Sequence, residues 1–444
     1  MNNMLTVLEN KTAGIGSCIL LEHNNKKILF DCGQYYSQTP ASEIPAFPVQ
    51  AGDIDTIILT HGHLGHCGLL PVLVRDGFKG KVYCTENCKN IAMFSLLENA
   101  LLQEEEKQYW KYKHIERDIK PLYSEAEVNV CSPFFNVCDY HENIEISDGL
   151  SISFHNAGHS PGSALVKINL KDEDKQKNIL LASDVGLKEN DLNSDAILNE
   201  NYNALLLPAC VDKAEDEENI ESKFANILNE TLEAEGNIVI PVLSTDRRDA
   251  ILELLEKLLA AGETRHLFAC VDSPIAGKQI ETLQQRLGDR KIYPCIQAYN
   301  LVEDSKELNS IRGTVIIISG YGRSGYGRIG MHLLKNINRP ECSVVLFGDK
   351  HNHPLWRAIE KGEKTISILD RQVEIKAKIF HLNDPAIHWN SNSVLDWLQK
   401  IKSPPRHIYI THGQPEDKKS FHEVLEKNGN KEVKTLNSNK KITL

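Results

Sequence analysis

The stretch IDTIILTHGHLGH, residues 54–66, decides the fold of this chain. Its first seven residues are mostly apolar and β-branched, a pattern that is typical of a buried strand. His61, His63 and His66 follow within six residues, and each imidazole ring has two nitrogens that need a partner. Zinc favours imidazole and carboxylate ligands, and two histidines at i and i+2 in an extended turn can hold one metal. The stretch therefore predicts a metal centre at a strand end rather than three surface histidines clustered by chance.

Three further polar residues occupy comparable places, where a predicted strand ends or turns. His159 lies in a loop containing Gly and Pro that can carry its ring into a cleft, and Asp184 and His412 follow short apolar strands. Each of them alone is better explained as an ordinary polar residue at a strand end. Together with the cluster at 61–66 they predict one shared site, in which the carboxylate of Asp184 can bridge two metals about 3.5–4 Å apart.

From about residue 203 the sequence alternates between strand-like and helix-like segments. The strand-like segments are residues 204–207, 237–242, 266–271 and 314–318, and the helix-like ones are 219–233, 248–261 and 274–287. This alternation is typical of βαβ units, which build a parallel sheet with helices on its faces. Strand-like segments return near the end of the chain, at residues 373–380 and 407–411. We therefore expect an α/β protein.

The composition limits the classes of protein that the chain can represent. Its 444 residues suffice for two or three domain-sized cores. A content of 41% hydrophobic and 25% charged residues is ordinary for a globular enzyme. The net charge of −11 argues against broad, non-specific binding of nucleic acid, although it leaves room for a local basic groove.

Sorting and redox signals point to the cytoplasm. No apolar run reaches the roughly 18 residues that a membrane helix needs. The N-terminal residues lack the basic and apolar regions of a secretory signal. The 11 cysteines are odd in number and scattered, which predicts free thiols in a reducing compartment. A structural zinc held by cysteines such as Cys84 and Cys88 is the lesser alternative, and we expect a cytoplasmic protein without a membrane partner.

The arrangement of histidines and aspartate resembles the metallo-β-lactamase superfamily, and other segments resemble its β-CASP ribonucleases. These segments are Gly16-Ser17-Cys18 with residues 28–33, residues 120–125, Asp272-Ser273-Pro274, the glycine-rich residues 319–330, and residues 373–378, 395–398 and 412–413. The resemblance extends over nearly the whole chain. It implies a metallo-β-lactamase αββα sandwich with an inserted β-CASP α/β domain. The sandwich would comprise residues 1–200 and 361–444, and the β-CASP domain residues 201–360.

The resemblance also implies two zinc ions and a role for each residue around them. The implied ligands are His61, His63 and His159 for one zinc and His66 and His412 for the other, with Asp184 bridging the two. Asp31 would orient these ligands from behind, because groups that hydrogen-bond to a ligand fix its position. In such sites a hydroxide held by the metals attacks phosphorus, and the cations stabilise the charge that develops.

Catalytic and phosphate-binding residues are implied in the same way. Asp184 would be catalytic as the bridging carboxylate, and His388 would assist departure of the leaving group as a proton donor. Arg247 is the best match for a residue that binds phosphate. Arg323 and Arg328 are weaker candidates, for which a solvated surface role is at least as good an explanation.

Two positions depart from the family pattern. Gly65 stands where the family has an aspartate that binds the second metal and holds the attacking water, so we expect a weaker second zinc site. Pro208 stands where the family has the acidic residue that orients the histidine matched by His388. Loss of a single catalytic group commonly costs several kcal/mol of activation free energy, so each change would slow the reaction by orders of magnitude.

These observations leave three functions open. The first is a zinc-dependent phosphodiester hydrolase, in particular a ribonuclease that acts on single-stranded RNA and is slowed by the two changes. The second is an inactive β-CASP homologue that binds RNA or an active β-CASP partner subunit. The third is a metallo-hydrolase of a substrate other than nucleic acid, because one fold hosts many chemistries. Members of the family often self-associate, so a homodimer is compatible with each of them.

Overall fold

A computed structural model describes the chain apart from residues 1–2, 10–14, 35–46, 113–119, 173–174, 187–189, 211–219, 243–244, 265–267, 288–294, 309–313, 321–326, 349–353, 383–388 and 431. The strands of the described part are Met4–Val7 (β1), Ile19–His23 (β2), Lys26–Phe30 (β3), Thr56–Ile58 (β4), Lys81–Cys84 (β5), Phe135–Val137 (β6), Ile144–Ser147 (β7), Leu150–Asn156 (β8), Ala164–Asp172 (β9), Lys175–Leu181 (β10), Ala204–Leu207 (β11), Ile238–Val242 (β12), Phe268–Asp272 (β13), Ile296–Tyr299 (β14), Val315–Gly320 (β15), Ser343–Phe347 (β16), Thr365–Ile368 (β17), Arg371–Glu374 (β18), Lys378–Leu382 (β19), His407–Ile410 (β20), Val433–Thr435 (β21) and Lys441–Thr443 (β22). Its α-helices are Leu64–Cys67 (α1), Leu70–Arg75 (α2), Glu86–Tyr112 (α3), Glu125–Cys131 (α4), Asp195–Leu198 (α5), Ile220–Glu233 (α6), Thr245–Ala260 (α7), Ala276–Leu287 (α8), Val302–Leu308 (α9), Gly327–Asn336 (α10), Pro354–Glu360 (α11), Ser391–Lys400 (α12) and Pro415–Lys427 (α13).

Two seven-stranded sheets form a sandwich from both ends of the chain. The strand order is β22-β1-β2-β3-β4-β5-β6 in the first sheet and β21-β20-β11-β10-β9-β8-β7 in the second. In the first sheet, strands β22 to β3 pair antiparallel and strands β3 to β6 pair parallel. In the second sheet, strands β21 to β10 pair parallel and strands β10 to β7 pair antiparallel. Because β22 pairs with β1, the end of the chain closes the sheet in which the chain begins.

Apolar side chains fill the space between these two sheets, because successive residues of a strand point to opposite faces. Leu21 and Phe30 of the first sheet share one almost fully buried cluster with Phe154 and Val166 of the second. Helices α1 to α4 pack on the outer face of the first sheet, and α5, α12 and α13 pack on the outer face of the second. The layers are therefore helix, sheet, sheet and helix, which confirms the predicted αββα sandwich.

The third sheet is the parallel sheet that the alternation after residue 203 predicted. Its six strands are all parallel, in the order β14-β13-β15-β12-β16-β19. Helices α6 and α7 pack on one face, and α10 and α11 pack on the other. The strands are buried on both faces, which explains why Val315–Gly320 reads as a continuous apolar run instead of alternating with polar residues.

The sheets assign two segments differently from the sequence prediction. The strand β11, which we counted with the alternating region, pairs with β10 and β20 and completes the second sandwich sheet. Residues 373–380 are not one strand, because β18 pairs with β17 whereas β19 joins the six-stranded sheet. Both cases depend on pairing between distant segments, which local patterns do not encode. The sheets change after residue 207, one strand beyond the predicted domain boundary at 200, and after residue 382, three strands beyond the predicted boundary at 360.

The long helix α3 connects the sandwich to the six-stranded sheet. Glu98 on this helix accepts hydrogen bonds from Arg248 Nη2 at 2.8 Å and from Ser273 Oγ at 2.6 Å. Two turns further along, Glu105 accepts hydrogen bonds from Arg328 Nη2 at 2.6 Å and from Arg328 Nε at 2.8 Å. Bidentate pairing of arginine with carboxylate is directional, so these contacts fix the orientation of the helix against the sheet.

The composition-based predictions concern cysteines and membrane helices. All 11 cysteines are free thiols, and 10 of them are buried. Cys84 and Cys88 lie in the apolar core on the outer face of the first sheet. Within the described part of the chain, every helix is too short or too polar to cross a membrane.

Candidate metal centre

The predicted ligands converge at one edge of the sandwich, where parallel strands of both sheets end. Asp31 and His61 come after β3 and β4, which are neighbours in the first sheet. Asp184 and His412 come after β10 and β20, which lie on either side of β11 in the second sheet. His159 lies in the loop between β8 and β9. Residues that follow the carboxyl ends of parallel strands meet at the same edge, so the sheets themselves bring these side chains together.

His61, His63, His159 and Asp184 form a first group of four converging ligand atoms. His61 Nε2 lies 3.0 Å from His63 Nδ1 and 3.5 Å from Asp184 Oδ2. His159 Nε2 lies 3.3 Å from His63 Nδ1 and 3.8 Å from Asp184 Oδ2. Four ligand atoms bonded to zinc at about 2.0–2.1 Å in a tetrahedron are roughly 3.3–3.4 Å apart. The observed distances therefore fit an ion of that size and coordination.

His66, Asp184 and His412 form a second group. His66 Nε2 lies 3.4 Å from Asp184 Oδ2, and His412 Nε2 lies 3.3 Å from Asp184 Oδ1. Asp184 belongs to both groups, with Oδ2 shared between them and Oδ1 turned toward His412. A carboxylate in that position can bridge two cations. The Asp184 side chain keeps 24% of its surface exposed, so the space between the groups is open to solvent.

Asp31 lies behind the ligands and is almost completely buried. Its carboxylate accepts a hydrogen bond from the Thr60 backbone N–H at 2.8 Å and lies 2.7 Å from His66 Nδ1. The contact with Nδ1 leaves His66 Nε2 to face the site. Asp31 has a φ of +61°, a conformation that costs a non-glycine residue about 1–3 kcal/mol and that clusters at functional sites. The structure therefore places Asp31 where the sequence predicted it.

Two threonines that the sequence motifs did not single out orient ligand rings. Thr60 Oγ1 lies 3.1 Å from His61 Nδ1, and Thr411 Oγ1 lies 3.3 Å from His412 Nδ1. Both hydroxyls occupy Nδ1, so that Nε2 of each ring points into the site. A signal for this role was present in the sequence, because a threonine separates the apolar strand from the histidine in both places.

The loop that carries His159 is held by a side chain whose role the sequence did not reveal. Ser163 Oγ accepts the backbone N–H of His159 at 3.1 Å and that of Ser160 at 3.0 Å. Gly162 has a φ of +80°, and a Cβ there would lie 2.4 Å from the backbone nitrogen of Cys88. Only glycine allows this approach, so the loop is clamped against the start of α3.

Burial and mutual contacts set the charges of the ligands. Burial, together with the neighbouring imidazole of His66, lowers the pKa of His61 well below its usual value. Burial alone would raise the pKa of Asp184, but hydrogen bonds from His412 and His66 hold that pKa well below its usual range. Burial likewise opposes protonation of His66, yet Asp31 and Asp184 raise its pKa to about 10. The first group thus offers a neutral imidazole and an ionised carboxylate, which are the forms that bind metal.

Gly65 lies in helix α1 between two of the ligands, with open space where a side chain would stand. A Cβ added at Gly65 meets no atom within 4 Å among the described residues. The backbone of Gly65, unlike its side-chain position, is in close contact with its neighbours. Its carbonyl accepts the Ser17 N–H at 2.9 Å, and a Cβ at Gly33 would lie 1.7 Å from the same carbonyl oxygen. The position therefore has room for a side chain, while this chain supplies no ligand there.

Pro208 borders the second group of ligands. It is buried directly after β11, and the N–H of the next residue, Ala209, donates to the His412 carbonyl at 2.8 Å. A Cβ at Gly413 would lie 2.5 Å from the Ala209 Cβ, so the two segments are in close contact. The residue that replaces the family's acid thus lies next to a ligand-bearing loop.

Three other predicted residues, Arg247, His388 and Arg323, remain predictions. Arg247 lies in the first turn of α7, and a Cβ at Gly348 would lie 2.8 Å from its Nη2, so its guanidinium packs on that glycine. This position neither requires nor contradicts phosphate binding. His388 and Arg323 fall outside the described residues.

Arg328 is not a phosphate ligand, nor is it a solvated surface residue. Its side chain is 1% exposed and pairs with Glu105 and with Asp272, the latter at 2.8 Å. The positive charge of the guanidinium is therefore balanced by carboxylates inside the protein. The prediction was wrong because a glycine-rich neighbourhood says nothing about which carboxylates the fold brings to an arginine.

Residues 12–205 match the family described as "Metallo-beta-lactamase superfamily", and residues 250–359 match the family described as "Beta-Casp domain". The whole chain can also be superposed on a solved structure from Enterococcus faecalis V583, described as a protein of unknown function. That superposition has a TM-score of 0.55 at 12% identity and covers 100% of both chains. At this identity the likeness supports the fold alone.

Curated relatives match along most of the chain. "Ribonuclease TTHA0252" of Thermus thermophilus is 27% identical, over 90% of this chain and 91% of that protein. "RNase J-like protein" of Methanocaldococcus jannaschii is 24% identical, over 91% of each. "Transcription termination factor FttA" of Methanothermobacter thermautotrophicus is 24% identical, over 89% of this chain but only 65% of that longer protein.

Proposed function

We propose that this chain, which belongs to the metallo-β-lactamase superfamily and carries a β-CASP domain, is a metal-dependent phosphodiester hydrolase that cleaves single-stranded RNA. The observation that carries the proposal is the first ligand group, whose four atoms lie 3.0 to 3.8 Å apart along the measured edges. RNA as substrate is supported by the relatives named "Ribonuclease TTHA0252" and "RNase J-like protein".

Zinc is the metal that best fits this set of donors. The first group consists of three imidazole nitrogens and one carboxylate oxygen, which zinc prefers and which calcium and magnesium do not. When bound, zinc would supply a hydroxide nucleophile near neutral pH and neutralise charge on the phosphate. His61, His63 and His159 would hold one ion, and His66 and His412 would hold the other.

Asp184 has the central role among the residues of the chain itself. Its low pKa keeps the carboxylate ionised, and its exposed surface faces the space between the two ligand groups. It can therefore accept a hydrogen bond from water in that space while contacting both groups. Arg247 as a phosphate ligand and His388 as a proton donor complete the proposed machinery.

The two ligand groups predict unequal affinities. The first group has four protein ligands, whereas the second has three because Gly65 contributes none. Fewer ligands lower the affinity for a cation, so we propose a tight first zinc and a weaker second zinc. Cleavage should then depend on the zinc concentration in the range that fills the second group.

A second candidate function is an inactive homologue that binds RNA or an active β-CASP subunit. Gly65 and Pro208 favour it, since two positions that the family uses in catalysis lack their carboxylates. The surface of the described residues offers little support for partner binding. The exposed large hydrophobic side chains there are Val130, Val137 and Leu301, whereas a binding surface usually has a contiguous apolar patch.

The proposed setting is the reducing cytoplasm, either as a monomer or as a homodimer. Eleven free thiols support a reducing compartment, because thiols oxidise outside it. Single-stranded RNA would be the principal partner.

The decisive experiment combines zinc content with cleavage of labelled single-stranded RNA. The metal-stripped chain is reloaded with zinc and compared with His63→Ala, His412→Ala and Gly65→Asp, and with His422→Ala as a control histidine outside the site. We expect wild type and His422→Ala to bind zinc and cleave RNA. His63→Ala should lose the tight zinc, because the variant lacks one of the four ligands of the first group. Its cleavage should be at least about 100-fold slower.

Gly65→Asp decides between the two candidate functions. The added side chain has space, so the variant should fold normally, bind the second zinc more tightly and cleave faster. Zinc binding without cleavage in wild type, with cleavage gained in Gly65→Asp/Pro208→Glu, would establish the inactive homologue instead. Cleavage that survives in His63→Ala would refute this metal centre as the active site.

A further inference from the structure

A third cluster of ligand-type side chains lies on the sandwich, apart from the ligands described above. His141, His155 and Asp191 each place one ring nitrogen or carboxylate oxygen within 4.8 Å of the others. We propose that these three residues form a separate binding site for a divalent transition metal, for which zinc is the best match. The site shares no ligand with the main centre, so the proposal is independent of the proposed function.

The distances suit a small ion held by nitrogen and oxygen. His141 Nε2 lies 3.4 Å from Asp191 Oδ2, which equals the spacing of roughly 3.3–3.4 Å between zinc ligands in a tetrahedron. The rings of His141 and His155 have centroids 4.9 Å apart and planes at 78°. They meet edge to face, an arrangement in which one ring nitrogen of each can point to a common centre.

His155 provides a second and independent sign of a ligand. Its residue is 4% exposed, and its Nε2 lies 3.0 Å from Ser153 Oγ. Its Nδ1 is buried and has no hydrogen-bond partner among the described residues. Buried polar atoms without a partner are rare in native proteins and call for an explanation such as an ion. The hydroxyl on Nε2 also fixes the ring, as hydrogen-bonded groups behind metal-binding histidines do.

The local charges favour a transition metal over an alkaline-earth ion. Lys167 would repel a cation, but its ammonium group is paired with Glu200. Asp191 supplies one negative charge. Two imidazoles with one carboxylate suit zinc and its neighbours, whereas calcium requires six to eight oxygen ligands.

The backbone around the cluster is already arranged to hold the three side chains. His141 has a φ of +66° and donates its N–H to the Phe154 carbonyl at 2.8 Å. The Asn156 N–H donates to Asp191 Oδ2 at 2.8 Å, and Asn156 Oδ1 accepts the Gly158 N–H at 2.9 Å. An ion here would tie three chain segments together at the base of the loop that carries His159. We assign it a structural role in holding that loop.

The test measures zinc in a chain whose main centre is removed. The double variant His63→Ala/Asp184→Asn is stripped of metal, dialysed against zinc and analysed for bound metal. We expect about one zinc per chain to remain, because the third cluster is untouched. Adding His141→Ala or Asp191→Asn should remove it, while adding His422→Ala should not. His141 is 56% exposed at its side chain, so its replacement leaves the fold intact, which circular dichroism will verify.

Two results would overturn the proposal. One is a double variant that binds no zinc; the other is zinc content unchanged by both His141→Ala and Asp191→Asn. Cobalt supplies a second readout, because the visible bands of bound Co²⁺ in the double variant should disappear with His141→Ala. RNA cleavage by the single variants His63→Ala and Asp184→Asn tests the main centre. Failure of the proposed function and failure of this third site are therefore distinguishable.

Discussion

The metal centre and the buried cluster around Asp272 both contain carboxylate and imidazole side chains. They differ in whether these side chains find matching hydrogen-bond partners within the protein. In the inserted domain, Asp272 is contacted by Arg328 Nη1 at 2.8 Å, by His332 Nε2 at 2.7 Å and by Ser305 Oγ at 2.7 Å. Each polar group there faces one of opposite character. At the centre, by contrast, His63 Nδ1 faces the Nε2 atoms of two other imidazoles at 3.0 and 3.3 Å.

The comparison gives a way to tell a binding site from a structural cluster. Where donors and acceptors match within the protein, the residues stabilise the fold and have no capacity left for a ligand. Where lone pairs converge, the cluster is complete only with a cation. The first case describes Arg328, for which the sequence left phosphate binding and a solvated surface role open, and the second describes the histidines that the sequence predicted as metal ligands.

The largest effect should follow from Asp184→Asn, which tests the first half of this comparison. Asparagine has nearly the same volume but lacks the charge that both ligand groups share, so RNA cleavage should fall by at least about 1,000-fold. The unfolding free energy of the metal-free chain, measured with urea, should fall by less than it does in Asp272→Asn, because in the described part of the chain the ion pairs of this carboxylate are all with histidines of the centre. Activity that persists, or a large loss of stability, would contradict the assignment of Asp184 as a ligand.

Asp272→Asn should show the reverse pattern and is the next largest effect. The variant breaks the buried ion pair between Asp272 and Arg328 and leaves only Glu105 to balance the guanidinium, and breaking a buried pair typically costs about 3–5 kcal/mol of unfolding free energy. Zinc content per folded chain should stay at the wild-type level. Urea unfolding and elemental analysis measure the two quantities. Lost zinc at unchanged stability would mean that this cluster also serves the site.

Arg328→Lys sharpens the comparison, because lysine keeps the positive charge but lacks the planar guanidinium group. Lysine cannot reproduce the two hydrogen bonds to Glu105 together with the one to Asp272, so stability should fall by about 1–3 kcal/mol. The matched control is Arg339→Lys, whose pair with Glu341 is more than a third exposed and should contribute at most about 0.5 kcal/mol. Equal effects of the two substitutions would show that burial of the Arg328 pair is unimportant.

The smallest effect is a pH dependence that belongs to Asp272. Burial alone would raise the pKa of Asp272, but the hydrogen bond from His332 and the charges of His332 and Arg328 hold it below its usual value. A lowered carboxyl pKa contributes stability that is fully present above about pH 4 and is lost as pH falls through the folded-state pKa.

The stability difference between wild type and Asp272→Asn should therefore be constant from neutral pH to about pH 5 and should shrink below about pH 4. Urea unfolding of both proteins at several pH values measures this difference. A difference that already vanishes near pH 6 would assign the effect to a histidine instead.

The sequence predicted the parts of the molecule whose information is local. The loop around His159 and the strands before Asp184 and His412 occur in the structure, and the segment 54–60 contains the strand β4, which is shorter than predicted at Thr56–Ile58. A run of apolar, β-branched residues specifies a buried strand, and a polar residue directly after it must lie at the sheet edge. Asp31 was proposed through resemblance to the family rather than through its own pattern, and it lies 2.7 Å from His66 Nδ1.

The tertiary structure alone decided which distant segments meet. Strand β11 joined the sandwich because it pairs with β20, some two hundred residues later, and Arg328 was buried because α3 brings Glu105 to it. His141, His155 and Asp191 had no shared motif in the sequence, yet the turn before β7, the strand β8 and the 3-10 helix Asp191–Asn193 place them together. The physical reason is that pairing and burial depend on complementary partners across the fold, and short stretches of sequence specify only one side of each contact.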